Sequence, residues 1–253
     1  MAADPLSRDV AGGSGGAPLR RMAEAPRGGA RSGRASSMEE LERRVARIRT
    51  SISKGRNDLV SGNRTRIIET ATRLFRAEGY QRTAIGDIAA ALGVSQGNIY
   101  QYVEKKDDIL ILILYSAVED YKSDLFVIED EDLDPVEMLI RAIRTYYAIL
   151  DRHHEKTTVI YHQIFHLERD DRALFGQVEA AVTALFERRV AAVIAAGACA
   201  PTDAFLLASN IVSLGHTWAL KRRRLKAHTD IDGYSQTQID YVFRILGRAP
   251  ETG

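Results

Sequence analysis

Residues 83–110 read TAIGDIAAALGVSQGNIYQYVEKKDDIL, and the spacing inside this stretch decides the fold. Ile85, Ile88, Ala89 and Leu92 fall at i, i+3, i+4 and i+7, one face of a short helix, with Thr83 at the N-cap position before it. Gly93 follows where a left-handed residue ends a helix without a Cβ clash, Val94 fills the angle, and Ser95 caps the next helix. That next helix, SQGNIYQYV, buries only Ile99 and Val103, which leaves Gln96, Gly97, Asn98, Tyr100, Gln101 and Tyr102 facing outward. A short exposed helix of amides and phenols with few charges is a contact surface.

Working upstream, Arg64 to Glu78 places Ile67, Ile68, Ala71, Leu74 and Phe75 in one stripe, stopped by Gly79 and Tyr80. Three short helices sharing one core are the minimum helix-turn-helix unit, and its first helix can lay Arg64 and Arg66 near a phosphate backbone. The exposed amides suit that partner, because the donor and acceptor of Gln96, Asn98 and Gln101 match the N6/N7 edge of adenine in the major groove. Tyr102 can meet a base, a methyl group or a phosphate. Gly97 inside a helix costs roughly 1 kcal/mol relative to alanine. Either the backbone approaches DNA closely there, or the helix crosses a neighbour closely.

The order Ile68, Ala71, Leu74-Phe75, Gly79-Tyr80, Thr83, Ile88-Ala89, Gly93-Val94-Ser95, Gly97, Ile99-Tyr100, Tyr102-Val103, Lys106, Ile109-Leu110 closely resembles the N-terminal domain of the TetR family of bacterial transcriptional regulators. The chain departs from the family pattern at Val103, where phenylalanine is usual, and at Glu104 and Lys105, where a proline or small residue and a serine are common. The resemblance implies that Thr83 contacts a phosphate at a helix start, that Tyr100 does so from the reading helix, and that Lys106 holds one at the start of the fourth helix. It also implies a homodimer on a palindromic operator, consistent with two-fold heads reading half-sites about 34 Å apart.

Downstream the pattern stays helical, and no strand signal competes, so the predicted fold is all-α: an N-terminal three-helix helix-turn-helix domain joined to a larger helical domain. Lys106 to Phe126 reads as one long helix, apolar on nearly every face through Ile109 to Leu114, and it joins head to body. After an acidic loop over residues 128–132, Asp134-Pro135 starts a helix to Leu150, and further helices span Lys156 to Leu167 and Asp170 to Ala196. Thr202 or Asp203 starts another to Leu225, and Ser235 with Gln238 forms a capping box for a last helix to Leu246. Upstream of the head, residues 1–37 read as a disordered basic tail and residues 38–62 as an extra helix and linker. The head then spans 63–108 and a ligand-binding and dimerisation domain 109–248.

Composition bounds the rest. An apolar fraction of 45% with 27% charged residues is that of a globular protein, and the single cysteine excludes an internal disulfide. With no 18-residue apolar run and no signal sequence, a cytoplasmic protein without membrane attachment is expected. Residues 1–106 carry 19 Lys and Arg against 11 Asp and Glu, whereas residues 107–253 carry 16 against 23, so the front is basic and the back acidic.

No phosphate-binding glycine loop, nucleophile elbow or zinc signature appears, so neither an enzyme nor a cofactor is expected. His162 and His166 lie four apart near His153-His154 but lack a third ligand at a defined spacing. Tyr146, Tyr147, Tyr161, His162, Phe165, Asn210 and Trp218 put polar tips on apolar helices, the mix of a small-molecule pocket, although each also reads as a core residue. The run Lys221 to Lys226, KRRRLK, is a solvated helix end or a cradle for the phosphates of a CoA thioester, a ligand class the resemblance implies. The expected function is a ligand-responsive regulator, a repressor that a small hydrophobic or acyl-CoA-like effector releases from double-stranded DNA. The alternative is a nonspecific DNA-coating protein that uses its basic tail.

Overall fold

The computed structural model describes residues 57–126, 134–197, 200 and 202–247. The basic tail, the extra helix as far as residue 56, the acidic loop and Cys199 lie outside the described residues. Helix α1 (Asn57–Ala77) is followed by α2 (Ile85–Leu92), α3 (Gln96–Tyr100) and α4 (Lys106–Asp120). The body adds α5 (Pro135–Arg152), α6 (His154–Gln163), α7 (Arg169–Ala196), α8 (Ala204–Leu225) and α9 (Ile231–Ile245). Among the described residues there is no strand, and no helix is long and apolar enough to cross a membrane.

The predicted punctuation explains most boundaries. Gly93 adopts φ +69° after α2, Ser95 Oγ accepts from Asn98 N at 3.3 Å, and Asp134 accepts from Val136 N and Glu137 N at the start of α5. Asp203 accepts from Leu206 N to open α8. Two expected caps are displaced. Thr83 does not cap α2; the helix begins one residue later, after Ala84, whose N–H donates to Asp87 Oδ2 at 2.7 Å. Ser235 and Gln238 have capping-box spacing but lie inside α9, because Asp230 starts that helix by accepting from Gly233 N, and Ser235 Oγ donates back to Ile231 O. The expected helix from Lys106 to Phe126 stays α-helical only to Asp120 and closes in a π-turn over Tyr121–Leu125, with Phe126 N bonded to Tyr121 O.

The run Ile109 to Leu114 is buried on every face because α4 runs between α1 on the head side and α6 and α7 of the body. Head and body therefore share one continuous apolar core. Helix α5 is buried over a wide face, including Leu139, Ala142, Ile143, Tyr146, Tyr147 and Leu150, since α7, α8 and α9 all pack around it. Helix α8 comes close to α5 at Gly215. A Cβ there would lie 2.7 Å from Leu150 Cδ1, 2.8 Å from Tyr146 Cε1 and 2.9 Å from Tyr147 Cε1. All three side chains are almost fully buried and have no room to yield. Alanine in a helix gains about 0.5–1 kcal/mol over glycine, while overpacking costs about 1–3 kcal/mol. Gly215→Ala is accordingly expected to lower stability by about 1–2 kcal/mol, or roughly 2–8 °C in Tm, in a thermal melt.

Candidate nucleic-acid interface and ligand cavity

The reading helix α3 is anchored from beneath by Ile99 and Val103, each at most 1% exposed, which leaves its other side chains at the surface. Gln96, Gly97, Asn98, Tyr100 and Gln101 are exposed, Tyr100 by 50%. A Cβ on Gly97 would find nothing closer than Ser95 Oγ at 3.7 Å, an ordinary contact. No neighbouring helix therefore requires the glycine, which removes the crossing-helix reading and leaves an open approach in front of the backbone. Gln96 folds back over α2, its amide nitrogen 2.4 Å from where a Gly86 Cβ would stand. Tyr102 is half-buried and accepts from Asn63 Nδ2 at 3.2 Å. Beside it a cleft of about 460 Å³ runs between α1 and α3, with Arg66, Asn98 and Gln101 on its walls.

Three of the expected phosphate contacts are turned inward. Thr83 is 1% exposed and donates to Gly79 O at 2.9 Å. Lys106 Nζ donates to Tyr80 O at 2.8 Å and Thr83 O at 3.1 Å, 4.2 Å from the Tyr80 ring centroid, so it fastens the α1–α2 turn to the start of α4. The Arg64 guanidinium lies 5.2 Å from the Tyr115 ring centroid, against α4.

In the body, a cavity with about 470 Å³ of empty volume, counting the space open at its mouth, lies between α4, α5, α6, α7 and α8. Of the residues expected to form a pocket it gathers two, Tyr146 and Tyr161. The others are elsewhere. Tyr147 is fully buried and donates to Ile211 O at 3.0 Å, and Trp218 is 1% exposed and donates to Asp151 Oδ1 at 2.9 Å. His162, Phe165 and Asn210 are exposed, Phe165 by 76%.

The cavity's organising residue was not among those expected. His216 of α8 reaches Tyr146 Oη with Nε2 at 2.9 Å and Tyr161 Oη with Nδ1, and Tyr161 donates to Glu179 Oε1 at 3.1 Å. Burial lowers the His216 pKa to about 4, so the ring is neutral near pH 7. Glu179 stands 3.5 Å from Nδ1, which favours the charged ring, but its side chain is 40% exposed and water weakens that attraction, so burial wins. Because the Glu179 carboxylate only accepts, the proton order follows: Tyr146 donates to His216 Nε2, His216 Nδ1–H donates to Tyr161, and Tyr161 donates to Glu179. Burial pushes the phenols of Tyr146 and Tyr161 well above their ordinary range and keeps them neutral. The rest of the wall is apolar, including Leu114, Val118, Ile160 and Val182, with Lys156 and Thr157 also lining it.

Helix α6 joins this cavity to the head. Lys156, Thr157, Ile160 and Tyr161 line the cavity, while Glu155 of the same helix pairs with Arg76 of α1. In the turn after α6, His166 stacks on Tyr80 with centroids 6.0 Å apart and its Nδ1 accepts from Gln81 Nε2 at 3.0 Å. Lys105 pairs with Glu168 at 2.7 Å just beyond.

Known proteins match in both parts of the chain. The family model for bacterial regulatory proteins of the tetR family matches residues 67–113, and that for the tetracyclin repressor-like C-terminal domain matches residues 132–219. The HTH-type transcriptional regulator HbdR of Aromatoleum sp. (strain CIB) is 36% identical over 163 residues, 64% of this chain and 71% of that protein. The HTH-type transcriptional repressor KstR2 of Rhodococcus jostii (strain RHA1) is 28% identical over 112 residues, 44% of this chain and 55% of that protein. A crystal structure of a tetR-family regulatory protein from Rhodococcus RHA1 superposes with a TM-score of 0.64 at 25% identity, over 74% of this chain and 97% of that one. AibR in complex with isovaleryl coenzyme A and operator DNA shares the fold, with a TM-score of 0.61 at 20% identity over 70% and 96% of the two chains. With a helix-turn-helix head, a helical body and both family models matched in order, the chain belongs to the TetR family of bacterial transcriptional regulators.

Proposed function

We propose that the protein is a homodimeric repressor that binds a palindromic operator through Gln96, Asn98, Tyr100 and Gln101 and leaves it when an acyl-CoA or similar small hydrophobic effector occupies the body. The observation that carries this reading is the double use of α6, which lines the cavity with Tyr161 and holds the head through Glu155. An effector that prefers one position of α6 shifts the head by its difference in affinity for the two positions. The apolar wall suits an acyl chain, and a CoA diphosphate, too polar for that wall, would stay at the mouth near Lys156. AibR, of the same fold, is known in complex with isovaleryl coenzyme A and operator DNA, which supports the two ligand classes but not the release step. Dimerisation is supported by Phe205 and Leu206 of α8 and Tyr241 and Ile245 of α9, large apolar side chains about half exposed in the single chain.

A thermal-shift panel of acyl-CoAs, with matched free acids and aromatic compounds, tests the effector class. A true effector at about 100 times its Kd stabilises by about 2.7 kcal/mol, roughly 5–10 °C here. The same compound is expected to release a labelled upstream duplex in an anisotropy titration. An inert panel would sink the effector reading. The nonspecific alternative predicts retention of DNA affinity by a reading-helix variant and its loss on deletion of residues 1–37.

A further inference from the structure

We infer that the last turn of α8 is a second phosphate-facing surface, which bears on the operator's central segment between the two heads. This rests on the proposed dimeric operator binding. Five cations stand within six residues, Lys221, Arg222, Arg223, Arg224 and Lys226, in a part of the chain where acids otherwise exceed bases. One is used internally: Arg222 Nε donates to Asp151 Oδ1 at 2.7 Å, beside the bond from Trp218. Burial works against the charge on Asp151, but these two donors outweigh it and hold the carboxyl below its usual range. Lys221, Arg223, Arg224 and Lys226 are exposed and pair with no carboxylate among the described residues. Lys221 leaves helical geometry, with φ −111° and ψ 16°, so the cations after it are re-aimed away from the line of α8.

The position of this turn gives it a partner. Asp151, which holds Arg222, also accepts from His154 Nδ1 through its backbone oxygen at 2.8 Å, and the next residue, Glu155, pairs with Arg76 of the head. The basic turn is therefore at the head end of the body. The far end is marked by the bond from Ala200 N to Leu246 O, next to the starting turn of α8 and the close of α9, where Phe205, Leu206 and Ile245 are exposed. A dimer joined through that apolar end brings two basic turns together on the head side, above the DNA that separates the half-sites. Two cationic turns side by side repel each other unless a polyanion lies between them. A favourable interaction with the helix dipole is satisfied by one or two cations in the last turn and does not account for four exposed ones.

The test uses the full chain, an operator duplex and the variant Arg223→Ala/Arg224→Ala/Lys226→Ala, with melting temperature and oligomeric state measured alongside. The variant is expected to keep both, since the three side chains are exposed, and to bind operator at least about tenfold more weakly near 0.1 M salt. The slope of log K against log salt should fall in magnitude by about 2 or more, as each lost phosphate contact contributes about 0.9. A second arm needs no folded variant: methylphosphonate linkages that neutralise only the central base steps should weaken wild-type binding. On the same duplex the variant should lose nothing further. Wild-type affinity that ignores the central linkages, or an unchanged salt slope in the variant, overturns the inference. So does a variant that keeps its operator affinity but no longer binds free CoA, which would give these cations to the effector. If wild type binds no duplex selectively, or Gln96→Ala/Tyr100→Ala binds as well as wild type, the operator reading itself fails and this inference falls with it.

Discussion

Operator affinity of the double variant Gln96→Ala/Tyr100→Ala is expected to fall by roughly 30-fold to 10⁴-fold, and nonspecific DNA affinity to fall far less, by the phosphate contact implied for Tyr100. A good side-chain contact to a base edge is worth about 1–3 kcal/mol, and a two-fold complex loses it twice, for about 2–6 kcal/mol in all. The fold should survive the change. Tyr100 is half exposed, Gln96 lies on the surface over Gly86, and Ile99 and Val103, which hold α3 to the head, are untouched. Anisotropy with the operator and with a scrambled duplex of equal length separates the two affinities. A parallel loss on both duplexes would mean that the two residues only supplied backbone contacts. Unchanged operator affinity would remove α3 as the reading element. Lys106 offers a useful contrast. Its ammonium holds the carbonyl oxygens of Tyr80 and Thr83, so replacing it is expected to loosen the junction between the head and α4 more than to remove a phosphate contact.

The head was legible because its signals are local. Gly93 and Ser95 act within one turn, and their geometry follows from the absence of a Cβ and from a short side-chain acceptor, whatever the rest of the chain does. Caps lie elsewhere than their spacing suggests where two residues compete for one helix start. Thr83 is the better capping type, but its hydroxyl is taken by Gly79 O, and Asp87 reaches back to Ala84 instead. Ser235 and Gln238 match a spacing that also occurs inside any helix, and Asp230, five residues earlier, had already opened α9.

The cavity was less legible, because a polar tip on an apolar helix does not reveal which neighbour it meets. Tyr146 and Tyr147 are adjacent, yet only the first lines the cavity, since a step of one residue turns a side chain about 100° around the axis. Tyr161 points in while His162 points out for the same reason. His216 carries little sequence signal of its role because it stands alone in sequence. Its two partners on α5 and α6 lie 70 and 55 residues away, and only the close crossing at Gly215 next to it brings them within reach. A lone histidine beside a glycine in an apolar helix was the available signal.

His216 should make the protein's stability depend on pH in a window set by its own titration. Burial lowers its pKa from 6.5 to about 4 in the fold, so between those values the unfolded chain binds the extra proton and the folded chain does not. Stability contributed by the neutral ring is fully present above pH 6.5, is lost as the pH falls from 6.5 towards 4, and changes no further below that. The difference amounts to about 3 kcal/mol, or roughly 6–12 °C in Tm. Protonation also upsets the hydrogen-bond order. A ring that donates from both nitrogens has no lone pair for the Tyr146 hydroxyl, which is buried with no other acceptor among its described bonds. Melts from pH 4.5 to 8 are compared for wild type and His216→Gln, which keeps an acceptor in the cavity but cannot titrate. The wild type is expected to lose stability on acidification more steeply than the variant by about that amount. Parallel curves would show that the ring is solvated or charged in the folded protein. A stability gain on acidification would mean that Glu179 dominates and the ring is charged in the fold, so that His216 donates from both nitrogens and its bond to Tyr146 is reversed while Tyr161 still donates to Glu179.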